Sequence, residues 1–300
     1  MNLREIGQLF QEAFREWSED KASRLAAALA YYTIFSIAPL LIIVIAIAGA
    51  VFGQEAARGE IVSQIQSLVG QDGAEFIELA IKNAYRPQAG TIASLISIVV
   101  LLLGATGLFA ELQDSLNTIW DVQPRPESGV KNIIRKRLLS FAMVVGVGVL
   151  LLAFLIASAT LTALVNYFSA LIPGIPFLWQ IVNFILSLAI ATFIFGLVFK
   201  VLPDVRLAWS DVLIGATITS VLFVLGQLLL GQYLANTGFA SAYGAAGSVV
   251  VVLAWVYYTA QILFFGAEFT QVYARKHGKR IVPSRHATYI NGKNATNPRK

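Results

Sequence analysis

The sequence contains no cysteine, which excludes disulfide bonds, thiolate metal sites and cysteine nucleophiles. It has only two histidines, His277 and His286, and both lie in the polar C-terminal region. A histidine general base or a zinc site within the hydrophobic part of the chain is therefore excluded as well.

Charge is also scarce. Charged residues make up 13% of the 300 residues, 57% are hydrophobic, and the mean hydropathy is +0.71. Soluble domains carry roughly a quarter charged residues, and a soluble fold of this length could not bury so much apolar surface in one core. A lipid bilayer can solvate that surface, so the composition indicates an integral membrane protein.

Six stretches are apolar and long enough to cross about 30 Å of hydrocarbon as helices. They lie near residues 25–52, 91–111, 138–166, 179–202, 211–234 and 246–271. A single apolar run in lipid satisfies its own backbone hydrogen bonds only as a helix. The sequence thus predicts an all-α integral membrane protein whose six transmembrane helices form one domain, residues 25–272.

Lysine and arginine counts in the connections predict the orientation, because cytoplasmic segments are enriched in both. The N-terminal segment, the second and fourth connections and the C-terminal segment carry nineteen of these residues, and the other three connections carry three. Both termini are therefore predicted to be cytoplasmic. The formal net charge of +5 then reflects membrane-flanking segments rather than nucleic-acid binding.

Three polar segments flank or interrupt the spans. Residues 1–24 carry an apolar stripe at helical spacing, which predicts a cytoplasmic amphipathic helix in the membrane interface. The first outer loop, about residues 53–90, has similar stripes and predicts short helices, lying either on the outer membrane face or on top of the bundle. Residues 273–300 are polar and basic and are predicted to form a largely disordered cytoplasmic tail.

Ionisable residues within spans need a reason, since a charge at the helix centre costs at least about 2.5–3.5 kcal/mol. Glu268, late in the sixth span, follows Tyr258 and Gln261 along one helical stripe. It is either a proton- or cation-linked carboxylate on a substrate path, or a helix-end carboxylate paired with a basic residue such as Arg275.

Other polar residues also allow two interpretations. Three residues at a spacing of three end the second span and form either a cation or acid–base site or a solvated face: Glu111, Asp114 and Asn117. Four charged residues bracket the connection between spans four and five, as ion pairs that fix a tight turn or as a cytoplasmic gate: Lys200, Asp204, Arg206 and Asp211.

The first span contains Pro39, which frees a backbone carbonyl and predicts a kink. The residues Tyr31, Tyr32 and Ser36 precede Pro39 and either satisfy freed backbone groups or line a cavity. Glycine and alanine are frequent in the spans and predict close approach of neighbouring helices.

Four segments of small, polar and aromatic residues follow one another along the chain. They are Ala26–Leu40 (AAALAYYTIFSIAPL), Gly107–Trp120 (GLFAELQDSLNTIW), Leu202-Pro203-Asp204 with Trp209 and Gly215-Ala216, and Tyr243–Ser248 with Trp255–Tyr258 and Gly266–Glu268. Together they resemble the YihY/virulence factor BrkB family of bacterial inner-membrane proteins, from about residue 15 to residue 275. Thr106 stands where that family tends to have serine.

The resemblance implies a six-helix inner-membrane protein but no single activity. Members have been labelled ribonuclease BN, and others have been linked to virulence, stress tolerance, or lipid and solute transport. A metal-dependent ribonuclease needs clustered hard ligands, usually Asp, Glu and His. The hydrophobic part of this chain has no histidine, and the sequence predicts no separate soluble domain that could hold RNA.

The functional prediction is therefore a transporter or flippase-like protein for a lipid, an envelope precursor or a small solute, with Glu111, Tyr258, Gln261 and Glu268 lining its cavity. The alternative is a non-transporting structural or adaptor protein acting through its tail or outer loop. No catalytic residue, cofactor or metal is predicted. The expected partners are membrane lipids and the transported molecule, not nucleic acid, and the oligomeric state is left open.

Overall fold

The computed structural model describes residues 3–84, 91–125, 175–236, 246–278 and 281–290, with Tyr243 and nine single residues between 138 and 153. Seven helices lie in the described ranges: α1 (Leu3–Glu19), α2 (Ala22–Phe52), α3 (Gln54–Ala84), α4 (Thr91–Ile119), α5 (Ile175–Val201), α6 (Trp209–Asn236) and α7 (Gly247–His277). The short strands there are β1 (Val122–Pro124), β2 (Val205–Arg206), β3 (Val282–Pro283) and β4 (Ala287–Tyr289).

Four helical segments in the described ranges are long and apolar enough to cross a membrane: Ala22–Phe52, Phe184–Val201, Trp209–Leu234 and Gly247–His277. They coincide with the first, fourth, fifth and sixth predicted spans, which confirms an all-α membrane protein. Residues 91–111, the second predicted span, belong to helix α4. The third predicted span, residues 138–166, lies almost entirely outside the described residues, so the number six stays a prediction.

Helix α2 continues as one helix through Pro39 and packs against α4. A Cβ atom placed on Gly104 would lie 2.9 Å from Pro39 Cγ, and one on Gly107 would lie 3.1 Å from Ser36 Oγ. Glycine at both positions lets the α4 backbone approach the side of α2 where the Phe35 carbonyl lacks its usual helical donor. The small residues of α4 thus serve helix packing.

Helices α6 and α7 pack through two reciprocal glycine–threonine contacts. A Cβ on Gly215 would lie 1.7 Å from Thr270 Oγ1, and a Cβ on Gly266 would lie 1.9 Å from Thr219 Oγ1. Each threonine hydroxyl donates a hydrogen bond to the carbonyl four residues earlier in its own helix, at 2.7 Å for Thr219 and 2.6 Å for Thr270. The two backbones can therefore approach closely without leaving either hydroxyl unpaired.

Helix α3 covers the end of the bundle where α2 ends and α7 begins. Its buried residues Ile61, Val69 and Ile77 pack with Val44 of α2 and Val252 of α7. The apolar stripes predicted in the first outer loop therefore face the bundle, where they exclude water from apolar neighbours. A sharp bend at Gly70, with φ 79° and ψ 178°, divides the helix.

Gly70→Ala should lower the free energy of unfolding by about 1–3 kcal/mol, because a residue with a Cβ is strained in this backbone region. Thermal unfolding of the detergent-purified protein, followed by tryptophan fluorescence, measures the effect. The matched control is Gly59→Ala in the same helix, at an exposed site with no neighbouring atom within 4 Å. Equal melting temperatures for the Gly70 variant and the wild type would contradict the strain.

The opposite end of the bundle carries two small antiparallel sheets, in which β1 pairs with β4 and β2 pairs with β3. Residues 281–290 form both tail strands, although composition places them in a largely disordered tail. Ala287 is 2% exposed, and the Tyr289 hydroxyl donates to the Ile281 carbonyl at 2.8 Å. Backbone pairing with distant segments gives this polar stretch the order that its own composition does not provide.

Candidate functional site

Glu268 is the most unusual side chain of the described ranges. It lies late in α7 and is fully buried, and neither of its carboxyl oxygens has a hydrogen-bond partner among the described residues. Every residue from Gly266 to Val272 is buried as well. Burying a carboxyl group without hydrogen bonds costs free energy when the group is ionised, so packing alone does not explain a glutamate at this position.

The charged groups around Glu268 do not neutralise it. The charges that act on it electrostatically are those of Asp20, Glu16, Arg275 and Asp121, and three of these four are acidic. The cation, Arg275, binds Glu16 of α1, with 3.0 Å between Arg275 Nη2 and Glu16 Oε1. The structure therefore does not show the Glu268–Arg275 pair that the sequence offered as the ordinary explanation of this carboxylate.

A second buried polar group centres on Asp204, in the turn between α5 and α6. Asn117 of α4 donates to Asp204 Oδ2 at 3.1 Å, and its own Oδ1 accepts the Asp204 N–H at 2.7 Å. Gln113 Nε2 also approaches Asp204 Oδ2, at 3.4 Å, and the Asp204 carbonyl accepts the N–H of Ser284 at 2.8 Å. These contacts join α4, the α5–α6 turn and the C-terminal strands.

The last turns of α4 lie between these two features. Gln271, one turn after Glu268, donates to the Ile119 carbonyl at the end of α4 at 2.7 Å, and both residues are buried. In the same part of the bundle the Gln113 Oε1, Ser115 Oγ and Trp120 Nε1 atoms are buried without a hydrogen-bond partner among the described residues. Buried polar atoms of this kind are few in most proteins and call for a functional or structural reason.

The structure separates the three predicted residues at the end of the second span. Asn117 is buried against Asp204, Asp114 is exposed and Glu111 is half-buried, so the three do not form one site. Sequence reasoning missed Gln113, although it lies one helical turn before Asn117 on the same face. Two amide side chains spaced four apart near a span end are a signal that could have identified it.

The first-span residues differ in exposure. Ser36 is buried beside Gly107, whereas Tyr31 is 60% and Tyr32 43% exposed. Pro39 is half-buried against α4. The two tyrosines therefore do not join the buried polar residues around Glu268.

Tyr258 and Gln261 are half-buried in the middle of α7. The Tyr258 ring packs against Gly226 of α6, where an added Cβ would lie 2.7 Å from Tyr258 Cε1. The Gln261 Oε1 atom is buried and has no hydrogen-bond partner in the described ranges. A polar stripe thus runs along α7 from Tyr258 towards Glu268, as the sequence predicts.

The four charged residues around the α5–α6 connection mainly contact nearby polar groups. Lys200 donates to the Leu207 carbonyl, and its Nζ lies 5.6 Å from the centre of the Trp209 ring. Asp211 is buried and accepts from Ser210 Oγ at 3.0 Å, whereas Arg206 is exposed. With Asp204 held by Asn117, this geometry favours a fixed turn over a gate made of mutual ion pairs.

Comparisons with known proteins agree with a membrane protein. The model of one protein family, described as Virulence factor BrkB, matches residues 13–290. The chain is similar to proteins named UPF0761 membrane protein from Teredinibacter turnerae (25% identical, covering 89% of this chain and 60% of the relative) and Alcanivorax borkumensis (24%, covering 94% and 64%). It is 27% identical to one from Tolumonas auensis, covering 85% and 82%. The chain thus spans less than two thirds of the first two relatives, and no solved structure matches it.

Proposed function

We propose that this chain, which belongs to the Virulence factor BrkB family of multi-pass inner-membrane proteins, moves a lipid, an envelope precursor or a small solute across the membrane. Its working form has six transmembrane helices with both termini in the cytoplasm, and it performs no enzymatic step of its own. In this proposal Glu268 is the group that binds or releases a proton or a cation as the transported molecule passes.

The buried, unpartnered carboxyl group of Glu268 carries this proposal. An ionisable residue inside a membrane span is expensive, and such residues commonly mark substrate paths and proton relays. A glutamine of almost the same shape would avoid the cost of ionisation. The carboxyl group is therefore best explained by a chemical step that needs it, and the Tyr258–Gln261 stripe leads towards it along α7.

The placement of the polar segments supports the proposed orientation. Helix α1, strand β1 after α4, the α5–α6 turn and the tail strands all lie at one end of the bundle, joined by ion pairs and strand pairing. These are the segments whose lysine and arginine content predicts a cytoplasmic location. Helix α3, which belongs to the loop with few basic residues, packs at the other end.

Lipid translocation in proteoliposomes tests the proposal. The protein is reconstituted with a fluorescent phospholipid, and dithionite then quenches the outer-leaflet copies, so that movement from the inner leaflet is seen as further quenching. We expect the wild type to speed this phase and Glu268→Gln to slow it by roughly tenfold. That change corresponds to an activation free energy for translocation that is higher by about 1.4 kcal/mol. The matched control is Asp114→Asn, at an exposed acidic residue near the same end of the bundle.

Two outcomes would count against the proposal. Equal rates for the wild type and Glu268→Gln would remove Glu268 from the mechanism. No translocation by well-folded wild-type protein would exclude lipid movement and leave a solute substrate or the adaptor role. Deletion of residues 281–290 would then distinguish solute transport from the adaptor role, because an adaptor that acts through its tail loses its function without that segment.

A further inference from the structure

The charges of helix α1 are divided between two sides. Three of its four acidic residues, Glu5, Glu12 and Glu16, face the last turn of α7 and pair there with three consecutive basic residues: His277, Lys276 and Arg275. The distances are 2.7 Å between Glu5 Oε1 and His277 Nε2, and 3.0 Å between Glu16 Oε1 and Arg275 Nη2. Two of these carboxylates are therefore paired with cations within the protein, and the third lies within hydrogen-bond distance of a histidine ring.

The apolar face of α1 is covered as well. Leu9 and Ala13 are fully buried against Phe269 and Val272 of α7, and the Phe10 ring centre lies 5.0 Å from that of Phe269. The apolar stripe that predicts membrane insertion is thus used to bind α1 to the bundle. Any contact between α1 and the membrane must be made by another face.

The remaining face of α1 is basic and carries an exposed aromatic ring. Arg4 and Arg15 of α1 are exposed, as are Lys21 and Arg24 at the junction with α2. Arg15 also lies 3.6 Å from a carboxylate oxygen of Glu16 and of Glu19, and Glu19 is the one exposed acidic residue of the described helix α1. Phe14 is 61% exposed and stacks on Trp17 with ring centres 5.6 Å apart. Helix α2, which is long and apolar enough to cross a membrane, begins at Ala22 directly after Lys21, so α1 adjoins the start of a candidate span.

We propose that this basic face of α1 binds the anionic phospholipid headgroups of the adjacent leaflet. Lysine and arginine side chains near an anionic membrane surface are attracted to it, and aromatic side chains favour the same interface. A recess of about 700 Å³ beside Phe14 is lined by Gln8, Gln11, Arg15 and Ser18, and by the Lys276–Glu12 ion pair. The surface is independent of the transport proposal, since it needs only the membrane boundary set by α2.

The absence of cysteine permits a direct test. A bimane label on Gln11→Cys is placed in nanodiscs of phosphatidylcholine alone, or mixed equally with phosphatidylglycerol, each containing a nitroxide attached to the lipid headgroup. We expect roughly twofold stronger quenching in the anionic discs, and loss of the difference at high salt. Replacing Arg4, Arg15, Lys21 and Arg24 with glutamine should also remove the difference.

The control carries Arg58→Gln and Lys82→Gln in α3, at the other end of the bundle, and should behave like the wild type. Equal quenching in both lipids would overturn the proposal, as would a difference that survives the four substitutions. Quenching that falls as more protein copies are placed in each disc would point to a second copy on this face and would also overturn it. If the fourfold variant does not fold, salt titration of the wild-type label decides alone.

Discussion

Replacing Gly215 with alanine should prevent α6 and α7 from packing at their native distance. The new Cβ would lie 1.7 Å from Thr270 Oγ1, 2.8 Å from Thr270 Cβ and 3.2 Å from the Thr270 Cα. Rotation of the threonine side chain can relieve the first contact but not the contact with the backbone. We therefore expect a loss of about 3 kcal/mol or more in unfolding free energy, at or above the upper end for overpacked sites.

Thermal unfolding in detergent, followed by tryptophan fluorescence, measures this loss, and Gly231→Ala on the same helix is the matched control. Gly231 is exposed and has no neighbouring atom within 4 Å, so alanine there should leave stability unchanged or raise it slightly. Adding Thr270→Gly to Gly215→Ala should restore part of the lost stability. A Gly215→Ala protein that melts like the wild type would show that the two helices are not held together at this point.

The same contacts explain why Glu268 is buried. Gly266, two residues before it, lies against Thr219, and Ala267 is fully buried in the core shared with α6. The close approach of α6 on one side and of α1 on the other removes water from this turn of α7. The small residues that carry the family resemblance thus create the water-excluding environment in which the Glu268 carboxyl group is buried.

Periodicity and composition were sufficient to predict the four described helices that can cross a membrane and to draw attention to Glu268. Apolar length decides whether a helix can cross a membrane, and that property is local to the chain. The partner of Arg275 is not local, because Glu16 lies 259 residues away in sequence. No spacing rule could therefore show that Arg275 is already engaged and that Glu268 is left without it.

Helical faces were predicted less well where a spacing of three was used alone. Each step of three residues turns about 60° around a helix, so residues 111, 114 and 117 span about 120°. That arc crosses from the exposed side of α4, where Asp114 lies, to the buried side, where Asn117 meets Asp204. A spacing of four, as between Gln113 and Asn117, turns only about 40° and keeps both amides on the buried face.

The face of α1 was ambiguous for another reason. An apolar stripe gains similar free energy against lipid and against protein, so its pattern does not reveal which of them it meets. The three acidic residues next to the stripe indicate that it meets protein, since an acidic face is poorly suited to an anionic membrane. Only the structure shows that α7 ends in the three basic residues that they meet.

Asn117→Leu should open the C-terminal strands and destabilise this end of the bundle. The substitution removes the bond to the Asp204 carboxylate and the acceptor of the Asp204 N–H, and both groups are buried. An unsatisfied buried group costs about 1–3 kcal/mol, and more when it is charged. We expect the free energy of unfolding to fall by about 2–5 kcal/mol in total, because removing one partner of a buried carboxylate is strongly destabilising.

Cysteine labelling can show that the loss is local to the tail. Ala287 is 2% exposed and pairs through β4 with β1, so a single cysteine there should react slowly with a maleimide in the otherwise wild-type chain. In the Asn117→Leu background it should react at least about tenfold faster. The Asp204 carbonyl that accepts the Ser284 N–H is then no longer fixed, so the free energy of local opening of the tail strands falls by about 1.4 kcal/mol. A cysteine at exposed His286 should react equally in both backgrounds.

Equal reactivity at position 287 in both backgrounds would mean that the tail strands are held independently of Asn117. Faster reaction with unchanged lipid translocation would assign the Asn117–Asp204 contacts to anchoring the tail. Loss of translocation in a variant that still places Glu268 correctly would instead indicate that the polar groups around Asp204 and around Glu268 function together. The connection for such a unit exists in α4, whose last turns contact Asp204 through Asn117 and Gln271 through the Ile119 carbonyl.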